Sequence, residues 1–480
     1  MEMGLADGAR VGVIGGGPAG SLFAYFLFTF AQRMDLDISV DIYEPRDFTK
    51  PGPAGCNMCG GIVSESLTQM LALEGIHLPP SVVQRGIDSY ALHTDEETVK
   101  IDTPLKEKRI AAVHRGGGPR DVGELTWGSL DHHLLTLART RGANVVSERV
   151  GEVDWDHGRP QVRLRTTART YDLLVGASGV NSTGWQLFEK LGLRSKRCET
   201  TKAYITELNL GEDIVRRHFG NSMHIFLLKI PRLDCAAIIP KGNFLTVCLL
   251  GRDIDGTLVK AFFDSAMVKR CFPADSNPVE GACHCSPKIN IREASRPFMD
   301  RIVLVGDCGV TRLYKDGIGA AYRTAKAAAR TAVFSGVAAT DFEKFYWPTY
   351  RSIARDNRFG RLIFDVVHWI KASRPLLRGV LRMASSEQAS PGSTRRMSLA
   401  LWDMFTGSAP YRDVFLRTLD PRFLGAFIRE SAVAALGGCR RVEERPGSPG
   451  ALRASGGLGG NFGDPQLPGR QTPESRGHLP

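Results

Sequence analysis

Hydrophobic and polar positions follow a different rhythm in successive stretches of this chain. No residue from Val11 to Ala31 is charged, and such a run is long enough to cross a bilayer as a helix. Its first third is Gly-rich and contains Pro18, which rules out one continuous helix. A buried strand followed by a buried helix fits the pattern better. Up to about residue 190, apolar runs at 38–44, 144–147 and 171–176 read as strands, and 130–141 has helical spacing. The runs at 202–206, 224–228, 236–239 and 245–250, separated by turn residues, predict a largely antiparallel sheet. A strand at 301–305 and an Ala-rich helix from 317 through 332 return to the first rhythm. From 341 to about 435 the spacing is helical; from Gly437 onward Gly, Pro, Ser and Arg dominate and periodicity stops. That tail lacks the apolar residues that offset ordering entropy and reads as disordered.

Composition changes this picture little. A chain of 480 residues with 42% hydrophobic and 24% charged residues is globular, with room for two or three structural units. The first ten residues hold both acids and a base, a poor match to a signal peptide, so the protein reads as cytosolic. Ten unevenly spread cysteines then suggest thiols in a reducing compartment. The net charge of +11 is concentrated late: residues 351–400 hold ten Lys/Arg and three acids. Within it, 358–371 places Phe359, Leu362, Ile363, Val366, Val367 and Ile370 on one helical face, flanked by Arg361 and Lys371. The helix either packs on the core with a solvated basic back or docks, with the residues up to 384, on an anionic membrane face. Zinc-finger spacing and RNP-like strands are absent, and no nucleic-acid partner is expected.

The candidate chemistry begins at the first strand. Gly15-x-Gly17-x-x-Gly20, with Pro18 and Ala19 inside it, opens the helix, and Glu44 ends the second strand 24 residues later. Gly15 allows a tight turn, Gly17 lets a pyrophosphate approach the backbone, and Gly20 lets helix and strand pack closely. The helix N-terminus offers N–H groups to the phosphates, and Glu44 stands where a carboxylate accepts ribose hydroxyls. A second half follows the strand 301–305: Gly306-Asp307, then Gly317-Ile318-Gly319 at a helix start. An Asp there can take a ribityl hydroxyl, and a Gly-x-Gly turn lets backbone approach a flavin or its phosphates, so FAD fits better than NAD.

These motifs, together with Gly176-Ala-Ser178-Gly179, resemble the FAD-dependent family of para-hydroxybenzoate hydroxylase. Cys59-Gly60-Gly61 and Ile239-Pro-Lys-Gly242 look like its geranylgeranyl reductase branch, and the resemblance covers roughly 10–335. It departs at three places. The family's Asp-Gly is Ser178-Gly179 here, an Arg before the helix at 130 is replaced near Trp127, and an aromatic residue is replaced by Ala237. The resemblance implies an α/β fold: a discontinuous FAD-binding Rossmann-like domain over 9–195 and 291–340, an inserted antiparallel substrate sheet over 196–290, a helical C-terminal region over 341–435 and the tail 436–480. It also implies an FAD-dependent oxidoreductase acting on an apolar substrate or lipid. The flavin would reduce a carbon–carbon double bond of an isoprenoid-like molecule, with Cys59 as the acid and Gly60 and Gly61 beside the flavin. NAD(P)H or an electron-donor protein would supply electrons. Monooxygenation and quinone-linked electron transfer are the alternatives, with a flavin-binding protein without turnover behind them. Halogenation is not expected, because Trp-x-Trp-x-Ile-Pro is absent.

Cys56-Asn-Met-Cys59 can hold a thiol pair beside a flavin as a proton or electron relay. Cys283-His-Cys285 with Cys56 and Cys59 has the ligand types for zinc, but two distant segments are not diagnostic, and no metal is assigned. Arg115-Gly-Gly-Gly-Pro-Arg120 reads as a flexible surface loop with a capacity for anions, and Tyr314 and Lys315 as cleft lining.

Overall fold

The strand Ala9–Ile14 forms the middle of a six-stranded sheet whose register fixes everything around it. It pairs in parallel with Ile38–Tyr43 and with Leu173–Gly176, setting Val13 opposite both Ile42 and Val175. Asn144–Val146 extends the sheet on one side; Ile302–Leu304 and an antiparallel Phe298–Met299 extend it on the other. Alternate residues face opposite ways. Val11, Val13, Val40, Ile42, Val175 and Val303 meet the helices Pro18–Arg33, Leu130–Thr140 and Gly317–Phe334. Ile14, Tyr43, Leu174, Ile302 and Leu304 pack with Trp185 and Phe188 on the other face. The uncharged run 11–31 is thus a buried strand and a buried helix, and no helix among the described residues is long and apolar enough to cross a membrane.

This computed structural model describes residues 3–57, 59–104, 110–120, 122, 125–273, 282–390 and 394–436. The tail expected to be disordered from 436 lies, beyond Leu436, outside the described residues.

A second, seven-stranded sheet runs His284–Cys285, Tyr204–Asn209, Phe244–Gly251, Leu233–Lys241, Ser222–Leu227, Ser89–Thr94, Thr98–Asp102. It is antiparallel except where Ser222–Leu227 lies parallel to Ser89–Thr94. Two of its strands therefore come from 89–102, inside the segment assigned from sequence wholly to the cofactor domain. Their side chains explain why: Tyr90, Leu92, Val99 and Ile101 need the apolar face that Ile225, Ile239 and the C-terminal helices provide.

The helical region consists of Trp347–Ala372, Arg374–Ala389, Arg396–Thr406, Tyr411–Thr418 and Pro421–Leu436. Pro348 and Pro375 sit in first turns, where the missing N–H costs nothing. The apolar face expected on 358–371 is divided. Ile363 is buried, and Phe359, Val367 and Ile370 pack beside it. Leu362 and Val366 are 43% and 42% exposed and are joined outside by Trp369 at 70%. Six apolar positions span too wide an arc of helix for one contact. The basic flanks turn inward: Arg361 donates to the Ile291 carbonyl at 3.2 Å and Lys371 to the Leu233 carbonyl at 2.9 Å.

Candidate functional site

The glycine turn separates structural from functional demand. Gly15 has φ +113°, and a Cβ there would lie 2.4 Å from the Ala177 carbonyl oxygen. A Cβ on Gly20 would lie 1.9 Å from the Gly15 carbonyl oxygen. The protein's own packing requires both glycines. At Gly17 a Cβ would meet only the Arg115 guanidinium, at 3.9 Å. No side chain caps the helix Pro18–Arg33 at this end. Its N–H groups and dipole face that space, the arrangement that binds a diphosphate. Ala19, next along, is where the second half of the site docks: a Cβ on Gly306 would come within 2.6 Å of it.

Glu44 is buried. Its carboxylate accepts from the Gly16 N–H at 2.9 Å and from the Arg46 N–H and Nε at 3.0 and 3.2 Å. It ties the end of the second strand to the glycine turn and retains lone pairs for a ribose.

Arg115 overturns the surface-loop reading. Its Nε and one terminal nitrogen donate to the fully buried Asp131 at 3.0 and 2.9 Å. Burial opposes its charge, yet Asp131 raises its pKa further, with smaller help from Cys59 and Asp307. The glycines after it are packed: a Cβ on Gly116 would lie 2.2 Å from the Gly55 carbonyl oxygen, and one on Gly117 2.1 Å from that of Lys50. The cation that the family resemblance places just before the helix at 130 is thus supplied from 15 residues upstream of it. The triple glycine beside an Arg was a signal, but one indistinguishable from a mobile loop without its partner segment.

The returning strand completes the cleft. Gly179 has φ +76°, and a Cβ there would sit 3.4 Å from Asp307 Oδ1. Ser178 turns away to pack on Gly184. Asp307 is half-buried; burial raises its carboxyl, while Arg115 and the Val180 N–H pull it back. Asp316, left-handed at φ 53°, leads into the helix Gly317–Phe334, whose first turn also lacks a side-chain cap. A Cβ on Gly319 would strike Asp316 Oδ1 at 2.2 Å, whereas Gly317 meets only Thr311 Oγ1, at 3.3 Å. Ile318 offers backbone alone, since its side chain is in the core. Tyr314 and Lys315 do not line the cleft as expected. Tyr314 donates to Asp234 at 2.7 Å and Lys315 to the Asp403 carbonyl at 2.7 Å.

Cys59 lies where this cleft meets the second sheet. Cys56 and Cys59 are both thiols. Lys241 Nζ, 1% exposed, donates to the Cys59 carbonyl at 3.2 Å and lies 3.7 Å from Glu207. Glu207 in turn meets His114 Nδ1 at 3.2 Å and accepts from Thr246 at 3.1 Å. Burial works against its charge, but His114, Lys241 and Thr246 draw its pKa down to about 2. Burial lowers His114, whose ring stacks on Trp127 at 4.4 Å. Gly60 faces Ile239 Cδ1 and Cys248 Sγ, at 3.4 and 3.6 Å from a Cβ placed on it; Gly61 leaves room for Lys241. Cys285 is near enough to feel Cys59, and burial pushes it up to about 12. Among the described residues, the Cys56–Cys59–Cys283–Cys285 set does not form a metal cluster. Glu207 and His114 escaped the sequence reading; a lone acid in an apolar strand was the only trace.

The arrangement fits FAD: an uncapped helix start with a cation for a diphosphate, a half-buried carboxylate beside Gly179, and a second uncapped helix start. No protein-family model and no curated protein matches the sequence. Solved structures do share the architecture. One is a geranylgeranyl bacteriochlorophyll reductase-like protein from Thermoplasma acidophilum, 16% identical with a TM-score of 0.60, aligned over 87% of this chain and 100% of that one. Another is a flavoprotein/dehydrogenase from Cytophaga hutchinsonii, 15% identical with a TM-score of 0.58, over 90% and 100%. A halogenase variant in complex with FAD is 14% identical with a TM-score of 0.54, over 91% and 93%. The chain therefore has the α/β fold of FAD-dependent oxidoreductases, a fold that halogenases and oxygenases also use.

Proposed function

We propose that this protein is an FAD-dependent oxidoreductase acting on an apolar substrate, reducing carbon–carbon double bonds of an isoprenoid-like lipid. The observation that carries the cofactor is the open space at Gly17, walled by the Arg115 guanidinium and an uncapped helix start. Bound there, FAD would supply hydride or electron transfer. Arg115 would offset phosphate charge, Glu44 would hold a ribose, and Asp307 would accept a ribityl hydroxyl. Gly60 and Gly61 allow the loop to lie close to the second sheet, where Ile239 and Cys248 present an apolar wall. Cys59 is the proton donor of this reading, and Lys241 holds its backbone in place. The exposed stripe on 347–372 would dock the enzyme on the membrane that holds its lipid, with NADPH or a protein as electron donor.

Anaerobic NADPH titration of the purified protein tests this. Bleaching of a bound flavin band is expected. A chain that takes up no flavin would overturn the cofactor assignment; a band bleached by dithionite but not by NADPH would overturn the donor. In the same assay with an isoprenoid alkene, Cys59→Ala should retain flavin and lose turnover on the order of 10²-fold. Oxygen uptake coupled to product would instead show a monooxygenase, the activity class of the oxygenase that shares this fold.

A further inference from the structure

We propose that the outer face of the seven-stranded sheet carries a metal site of the zinc type, formed by His93, His224 and Cys271. This goes beyond the flavin reading and does not depend on it. His93 and His224 lie on neighbouring strands, Ser89–Thr94 and Ser222–Leu227, whose parallel register sets Phe226 opposite His93 and His224 opposite Ala91. Both imidazoles therefore leave the sheet on one face, that of Phe226 and Leu228. The Cys59 loop meets the sheet at Ile239, whose packing partners lie on the opposite face with Tyr90 and Leu92. Cys271 comes from the segment after the short helix Ala266–Lys269.

The geometry is that of a nearly closed ligand set. His93 Nε2 and His224 Nδ1 are 2.9 Å apart, and Cys271 Sγ is 4.0 Å from His93 Nε2. All three ligand atoms lie within 4.8 Å of one another. Tetrahedral zinc with Zn–N near 2.0–2.1 Å and Zn–S near 2.3 Å requires separations of roughly 3.3–3.6 Å. The nitrogens would part by a few tenths of an ångström, and the sulfur would close on His93 by about as much and on His224 from a separation of up to 4.8 Å. Thr98 Oγ1 lies 2.8 Å from His93 Nδ1, the outer contact that fixes a ligating ring and aims its other nitrogen inward. Both rings are buried, and neutral imidazole is the form that metals bind. A cavity of about 480 Å³ adjoins the three and leaves the fourth position to water. Arg270 lines it too and opposes a cation; the Cys271 thiol would lose its proton to solvent on binding, and the thiolate would halve the metal's charge. Two imidazoles and one thiolate select a borderline-soft divalent ion over calcium or magnesium. Such an ion would pin the 266–272 segment to the sheet.

Cobalt(II) titration of the metal-stripped full-length protein decides the matter, with zinc content of the untreated protein measured alongside. One equivalent of zinc is expected. Cobalt should give visible ligand-field bands and a near-ultraviolet thiolate charge-transfer band that Cys271→Ser abolishes and His224→Gln weakens. Protection of Cys271 from alkylation by zinc, mapped by mass spectrometry on the unaltered chain, does not depend on the variants folding. A charge-transfer band that survives Cys271→Ser, or Cys271 alkylated equally with and without zinc, would overturn the site and leave two hydrogen-bonded histidines.

Discussion

Gly17 and Gly20 stand one helical turn apart and answer to different forces. A side chain at Gly20 collides with backbone inside the protein, and one at Gly17 enters only the space assigned to the cofactor. Gly17→Val is therefore expected to fold with near-unchanged denaturant stability and to retain no flavin. Gly20→Val should lose several kcal/mol, as overpacking against a fixed backbone does; equal stability of the two variants would contradict this division. Glu207 is a second residue-scale case. Its folded pKa, about 2, lies below the ordinary carboxylate value. Its contribution is therefore complete above roughly pH 4.5 and fades as the pH falls toward 2. Glu207→Gln, which leaves Lys241 buried without its counter-charge, should cost about 3–5 kcal/mol at pH 7. Urea unfolding at stepped pH should show the gap from wild type closing below pH 4.5; a pH-independent gap would refute the assignment.

The helix Trp347–Ala372 was legible as a helix, but the direction of its faces was not. Its inner side is set by what the second sheet and the helix Tyr411–Thr418 offer, as in the Phe359–Phe415 contact at 5.7 Å. Outside lies a stripe of Arg355, Arg358, Leu362, Val366 and Trp369, with the aromatic residue 70% exposed and Asp365 and His368 exposed beside it. Much of the basic excess nearby is engaged: Arg374 and Arg378 pair with Glu96, and Arg382 with Glu430. The proposed membrane docking thus rests on a short stripe with two arginines at one end, a geometry suited to an interfacial surface. Cosedimentation with vesicles of anionic phospholipid should fall sharply in Val366→Ser/Trp369→Ser with no change in melting. Unaltered cosedimentation would remove this face from the docking surface.

Across the whole molecule, the C-terminal helices and the cofactor turn are one structure. Arg312, 2% exposed, donates to the Gly407 carbonyl at 2.8 Å and the Ala409 carbonyl at 2.6 Å while pairing with Asp316 at 3.0 Å. Leu313 bonds through its N–H to Asn357, and Lys315 reaches the Asp403 carbonyl. The segment that presents Gly317 to the cleft is thereby held from outside the cofactor domain. Burial lowers the Lys315 pKa strongly, the Arg312 guanidinium adds to the shift, and Asp403, Asp316 and Asp356 oppose it. Arg312→Ala should cost about 3–5 kcal/mol and also weaken flavin retention, read by denaturation and by absorbance after gel filtration. Loss of stability with flavin affinity intact would show the turn to be self-supporting.

By itself the sequence determined what local geometry dictates. The strand–glycine–helix turn, Glu44 at the end of the second strand, the returning Gly306-Asp307 and the antiparallel middle were all readable, because turn sterics and hydrophobic period act over a few residues. Only the tertiary structure decided which distant residues complete the site. Arg115 needs Asp131, Lys241 needs Glu207 and the Cys59 carbonyl, and the His93–His224–Cys271 cluster needs three segments brought to one sheet face. Burial gives these groups their chemistry, by removing water and leaving each polar atom to a partner far away in the chain, and no local pattern records that partner.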